Sequence, residues 1–422
     1  MSVDERFGES FEEMREGRPL GTRSQIVTGP VSDWATDFSH LEPEWAADPY
    51  PIQDELRERC PIAHTDRFGG GWLPTRYEDV AAIAYDTDRF TSRSVVMSNF
   101  RPPPDVAPMG VAPPITSDPP FHHDARKLLL PAFTKSAVER LEPATRAFCH
   151  ALIDAFDRRD HVDAAGGYAQ HIPMRVIANM LGFPLEDEER FREYVETTLE
   201  GVNLDPDERM ARMGKLFDYL LVQIRDHIEN PREDLTTFLI GAELNGEKLD
   251  AFHVAGTMAL LIAGIDTTWS AIGASLWHLA KTPSDRDRLI AEPELLPTAI
   301  QEFLRIYAPV TMARLVKQDM EWHGVEMKAE DWVLLSFPSA NRDPEQFERS
   351  GEVVIDRKVN RHAAFGLGIH RCLGSHLARM ELRVALEVWL ERLPVFSLAY
   401  PLQVTWAAGQ VRGPRTLPLS LS

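Results

Sequence analysis

Residues 365–374 read F-G-L-G-I-H-R-C-L-G. Cys372 stands between Gly368 and Gly374. The stretch after it carries Leu377, Met380, Leu382, Ala385, Leu386, Trp389 and Leu390 at helical spacing. That places the cysteine at the mouth of a helix, where unpaired N–H groups and the helix dipole favour a negative sulfur. Such surroundings lower a cysteine pKa, and the glycines let backbone amides approach without Cβ clashes. A thiolate held in this way is a nucleophile or a metal ligand. A lone cysteine in a Gly-rich turn is more simply a packing residue, so the reading depends on what accompanies it.

A second constellation lies about a hundred residues upstream, in L-L-I-A-G-I-D-T-T-W (260–269), within a helix expected over roughly 250–281. Gly264 in mid-helix costs about 1 kcal/mol against alanine, which points to close approach by something at that backbone. Thr267 lies four residues after Ala263 and can bond that carbonyl, loosening the ladder. Asp266 beside Thr267 provides a carboxylate and a hydroxyl, the parts of a short proton relay. Between the two constellations, Glu302 and Arg305 in Q-E-F-L-R share a helix face at i,i+3. The apolar residues around them suggest a partly buried ion pair.

Composition bounds the rest. The chain has 422 residues, 44% of them hydrophobic, with no Gly/Ser linker and no internal repeat. One large unit over 46–422, preceded by an irregular arm over 1–45, fits this better than several domains. The net charge of −20 argues against nucleic acid and anionic membrane surfaces as partners. The charged N-terminus lacks the apolar core of a signal peptide, and the apolar run from Val254 to Ile265 is too short to span a bilayer. Cys60, Cys149 and Cys372 form no CxxC pair, which suits a reducing cytoplasm.

Helical periodicity predicts helices opening near 48–57 and over 78–85, 137–158 (capped by Ser136), 207–229, 250–281 and 296–307. Short strands are expected at 72–77, Glu321–Val325, Trp332–Ser336 and Arg412–Leu417. The eight prolines of residues 99–120 exclude regular helix there, and a loop of that length in a compact domain is usually functional. The class is mainly α with minor β.

Phe365, Gly366, Gly368, His370, Cys372 and Gly374, followed by Ala378, Arg379 and Glu381, resemble the haem-ligand loop of the cytochrome P450 superfamily, of the soluble bacterial type. A-G-I-D-T-T resembles its oxygen-activating segment, and Glu302 with Arg305 resembles its structural ion pair. The resemblance runs from about residue 48 to 400, with the motifs in family order. It implies the P450 fold, with haem b between the long helix and the cysteine loop. Cys372 would be the axial iron ligand, and Thr267 and Asp266 would help deliver protons to dioxygen. His122, Arg126, Arg314 and His370 would meet the haem propionates, with Phe365 and Gly374 completing the cofactor site. One departure is expected: where many members have a second arginine for the ion pair, Glu352 stands here.

The implied activity is a haem-thiolate monooxygenase that inserts one atom of O2 into a small or medium apolar or aromatic substrate, by hydroxylation or O-dealkylation. Electrons would come from NAD(P)H through a ferredoxin and its reductase, or through a fused reductase domain absent from this chain. G-I-D-T-T-W and the terminal G-Q-V-R-G-P-R-T-L-P are similar to haem domains of such fused members. A pocket lined by Met97, Phe100, Val106, Met109, Leu260, Ala263, Gly264, Val310 and Met312 is expected. An H2O2-driven peroxygenase or a non-catalytic haem sensor are the other classes. The Asp266–Thr267 pair argues against the first, and neither uses a proton relay.

Overall fold

The computed structural model describes residues 7, 21–156, 161–195, 197, 204, 206–244, 246–407 and 409–421. Its axis is the helix Ala251–Lys281. Asp250 caps that helix by accepting a hydrogen bond from the His253 N–H, and Pro283 follows the Thr282 cap, the start and stop chemistry a helix needs. Val254, Met258, Ile262, Ile265, Ile272, Leu276 and Leu279 are buried along it. The helix packs against His171–Leu181, Pro206–Glu229 and the cysteine helix Ser375–Arg392. Among the described residues it is the one helix long and apolar enough to cross a membrane, and it is largely buried in protein.

A five-stranded sheet lies beside the helical part, ordered Ile62–Thr65, Gly71–Pro74, Trp332–Ser336, Thr311–Val316, Phe90–Thr91. Trp332–Ser336 runs parallel to Gly71–Pro74 and antiparallel to Thr311–Val316, with Val333 opposite Arg314. Every residue of Trp332–Ser336 is buried, so the strand reads as a continuous apolar run rather than an alternating one. The architecture is mainly α with minor β.

Several local expectations need correction. The helix expected over 137–158 is two helices, Lys135–Glu139 and Glu142–Asp154, because Pro143 starts a new first turn. The first is capped by Thr134, whose hydroxyl accepts from the Ala137 N–H, and not by Ser136. The strand expected at 321–325 is a hairpin, Met320–Trp322 against Val325–Met327, turning at His323 and Gly324 with φ of 48° and 84°. The strand expected at 412–417 divides: Pro414–Thr416 pairs with Thr405–Trp406, and Pro418–Leu421 pairs with Phe396–Leu398.

Candidate active site

The cysteine loop is built by hydrogen bonding and close packing. The Cys372 N–H donates to the Phe365 carbonyl at 2.7 Å, which turns the chain back before the helix opens at Ser375. Gly366 and Gly368 have φ of 69° and 68°, a region that side-chain-bearing residues avoid. At Gly368 a Cβ would sit 2.3 Å from the Ala84 carbonyl oxygen. The loop therefore rests directly on the end of the helix Tyr77–Tyr85.

Cys372 lines a cavity of about 1440 Å3 and is exposed to it. Burial pushes its thiol above the ordinary value, against a hydrogen bond from Gly374 and the nearby charges of Arg126, Arg371 and Arg379. The helix-mouth argument that predicts a lowered pKa therefore captures only the smaller contributions: desolvation in this apolar pocket outweighs them.

The long helix forms the opposite wall. A Cβ built on Gly264 would meet nothing within 4 Å, because it points into open cavity. Thr267 lines the same space, and its hydroxyl donates to the Gly264 carbonyl at 3.2 Å, one residue along from the Ala263 carbonyl expected. Asp266 is fully buried behind that wall and is not a lining residue. Its carboxylate is 2.7 Å from the Arg415 guanidinium, which lies over the Trp269 ring. Arg415 arrives on the strand Pro414–Thr416. The approach is close: at Gly413 a Cβ would be 2.2 Å from the Ser270 Cβ.

A buried acid also borders the cavity. Glu381, on the cysteine helix, is pushed up to about 8 by burial, against a hydrogen bond from Thr268. It is a neutral carboxylic acid near pH 7.

Four more residues gather at one end. His122 and His370 place their rings 4.4 Å apart, and both line the cavity with Arg126 and Arg314. The ring Nε2 atoms of both histidines are buried without a hydrogen-bond partner. Burial, with Arg126 and other cations nearby, holds His122 down to about 4 and His370 to about 2. Burial likewise lowers Arg314, to about 10. This cluster of donors faces the cavity with few anions to answer it.

Of the other pocket residues, Phe100, Val106, Met109, Leu260, Val310 and Met312 line the cavity. Met97 does not. It packs in the sheet-side core, where its terminal methyl lies 2.5 Å from where a Gly71 Cβ would be. The Ala263 side chain lies outside the described residues. The Pro-rich segment closes the cavity by touching the long helix. A Cβ at Gly256 would be 2.0 Å from the Val111 carbonyl oxygen, and Thr257 donates to the Pro113 carbonyl at 3.3 Å.

Glu302 and Arg305 are wholly buried and bidentate, at 2.7 and 2.9 Å. The second arginine is present after all: Arg357 reaches Glu302 at 2.9 Å. Glu352, expected to occupy that place, instead lends its backbone carbonyl to Arg305 and its side chain to Arg349. Sequence reading missed Arg357, Arg415 and the contact between Glu381 and Thr268, since each partner is far along the chain.

The model of the family described as "Cytochrome P450" matches residues 207–399. The mycinamicin IV hydroxylase/epoxidase of Micromonospora griseorubida is 33% identical over 86% of this chain and 94% of that protein. The nocardicin C N-oxygenase of Nocardia uniformis subsp. tsuyamanensis is 35% identical over 94% of this chain and 98% of its own length. The solved structure of the Bacillus subtilis bacillaene polyketide synthase cytochrome P450 PksS superimposes with a TM-score of 0.81 at 30% identity, covering 91% of this chain and 100% of that one. The chain belongs to the cytochrome P450 family.

This P450 is therefore a haem-dependent monooxygenase, and its residues fit haem b on three observations. Open cavity faces Gly264, on the helix wall that would border the cofactor. A cysteine sulfur is presented from the opposite wall. Orphaned histidine nitrogens stand beside two arginines, a donor set for two carboxylates. A carboxylate brought there would raise both histidine pKa values. Metal coordination deprotonates a thiol outright, which supplies what the protein alone does not at Cys372.

Proposed function

We propose that this P450 oxygenates a bulky, mostly apolar organic molecule, larger than the small or medium compound that its sequence suggests. The observation that carries this is the cavity. At about 1440 Å3 it takes in the cofactor site and the substrate space together, against roughly 300–1,000 Å3 for one small-molecule site, and its apolar lining runs on from the haem-site residues to the arm and the helix Pro206–Glu229. Its far end is roofed by Met210, Met213, Phe217 and Phe252. The relatives named for mycinamicin IV and for a polyketide synthase support the same reading.

Haem with a thiolate ligand activates dioxygen for insertion of one oxygen atom into the substrate. Cys372 is the proposed ligand, and His122, Arg126, Arg314 and His370 would hold the propionates. Phe365 stacks beneath the Arg379 guanidinium at 4.3 Å and keeps the loop closed around the sulfur. Thr267 presents a hydroxyl to the cavity and Asp266 stands behind it, so a proton can pass from the interior side of the long helix toward the reacting oxygen. The apolar roof holds substrate and excludes water.

Electrons come from NAD(P)H through a ferredoxin-type partner, separate or fused, in the cytoplasm. Lys127, Arg361 and Arg371 are exposed near the cysteine loop and suit an acidic partner, whose electron-transfer rate would fall with salt.

The test is a binding titration on the haem-loaded protein with two sets of ligands, large polyketide-sized apolar compounds and small aromatics. Tight, spectrum-shifting binding by the large set is expected. Binding confined to the small set would overturn the size assignment.

A further inference from the structure

We infer that the N-terminal arm is part of the substrate site, with Ile26 and Val27 as specificity-determining residues. The inference rests on the bulky-substrate reading and extends it to a segment with no assigned role.

The arm is built in rather than draped. Thr22–Arg23 pairs antiparallel with Phe100–Arg101, at the start of the Pro-rich segment. At Gly21 a Cβ would be 2.0 Å from the Arg101 carbonyl oxygen, so the two backbones touch where only glycine fits. The Ser24 N–H donates to the Asn99 carbonyl at 2.9 Å. Further along, the buried Arg67 donates to the Gly29 and Pro30 carbonyls at 3.0 and 3.1 Å, while itself paired with Asp37 at 2.7 Å. Arg23 reaches Asp207 at the start of the helix Pro206–Glu229, at 2.8 Å. The stretch 25–28 is therefore suspended between two fixed points.

That stretch borders the cavity. Ile26, Val27 and Thr28 line it, as do Val106 and Met210. Ile26 and Val27 are 50% and 45% exposed, two large aliphatic side chains at the mouth of an apolar cavity. They belong to neither the cysteine loop nor the long helix, the two elements that present Cys372 and Thr267 to the cavity. A ligand long enough to fill the cavity would cover them, and burying that apolar surface favours binding. The arm thus discriminates by length.

The experiment uses the haem-loaded protein and two azoles whose nitrogen coordination shifts the haem spectrum. One is compact, 4-phenylimidazole, and one is bulky, clotrimazole. In the double variant Ile26→Ala, Val27→Ala, clotrimazole should bind about tenfold more weakly, as lost contact with two aliphatic side chains implies. Binding of 4-phenylimidazole should be unchanged, which also shows that the haem pocket is intact. Equal clotrimazole affinity in parent and variant overturns the role of the arm and leaves the bulky-substrate reading standing. A parent that binds 4-phenylimidazole but not clotrimazole overturns both.

Discussion

The Asp266 carboxylate and the Arg415 guanidinium meet at 2.7 Å, 149 residues apart in the chain, with Asp266 fully buried. The acid of the A-G-I-D-T-T segment is thus held by a cation from the C-terminal strands, and Ser270 reaches the same oxygen at 3.4 Å. Removing that cation from a buried carboxylate is expected to cost on the order of 3–5 kcal/mol. Arg415→Met should therefore lower Tm. Adding Asp266→Asn should recover much of the loss, since the charge that needed the partner is gone. Equal Tm values for parent and Arg415→Met would contradict a stabilising pair.

Thr267 faces the cavity where Asp266 does not, so the two should fail differently. In Thr267→Ala, NADPH consumption should continue while product per NADPH falls and H2O2 rises. Asp266→Asn should slow the whole cycle, since general acid catalysis typically contributes about 10²- to 10⁴-fold. NADPH, peroxide and product measured together separate these outcomes. A Thr267→Ala variant as well coupled as its parent would remove Thr267 from proton delivery.

The contiguous parts of this site were legible in the sequence. The glycines around Cys372, the A-G-I-D-T-T helix and the Glu302–Arg305 pair each lie within a few residues, where spacing alone fixes a shared face. What escaped was made by tertiary packing. Arg415 meets Asp266 because Gly413 lets a strand press against Ser270. Arg357 reaches Glu302 across 55 residues. Met97 looks like a pocket residue from its place in the chain, yet a close fit against Gly71 turns it into the sheet core. The arm residues Ile26 and Val27 carry no periodic signal, and strand pairing with Phe100–Arg101 on one side and Arg67 on the other hold them at the cavity.

Glu381 predicts a pH dependence. Its carboxyl titrates near 8 in the fold against an ordinary 4.5. Between these values the unfolded chain releases the proton while the folded chain keeps it. Stability from this group is therefore complete below about pH 4.5 and is lost as pH rises through 8. Each pKa unit is about 1.4 kcal/mol, so the loss is a few kcal/mol. Glu381→Gln should match the parent at pH 4 and exceed its stability at pH 8.5. A constant offset at both pH values would show that Glu381 does not hold its proton.

The Glu302 cluster predicts the opposite sign. Burial raises its carboxyl, but the bonds from Arg305 and Arg357 outweigh this and hold it below its ordinary value. Its contribution is present above about pH 4.5 and is lost as pH falls through the lowered folded value. Glu302→Gln leaves the buried Arg305 and the partly buried Arg357 without their anion and should cost on the order of 3–5 kcal/mol at neutral pH. Recovery of folded, haem-loaded protein should fall accordingly. Undiminished recovery and Tm would mean the cluster is dispensable.

Whether Cys372 is the haem ligand is decided by the ferrous CO spectrum. The parent should show the red-shifted band that a thiolate ligand confers. Cys372→Ala should abolish it, while Cys60→Ser and Cys149→Ser should leave it in place. A Cys372→Ala protein that retains the red-shifted band would place the iron on another ligand.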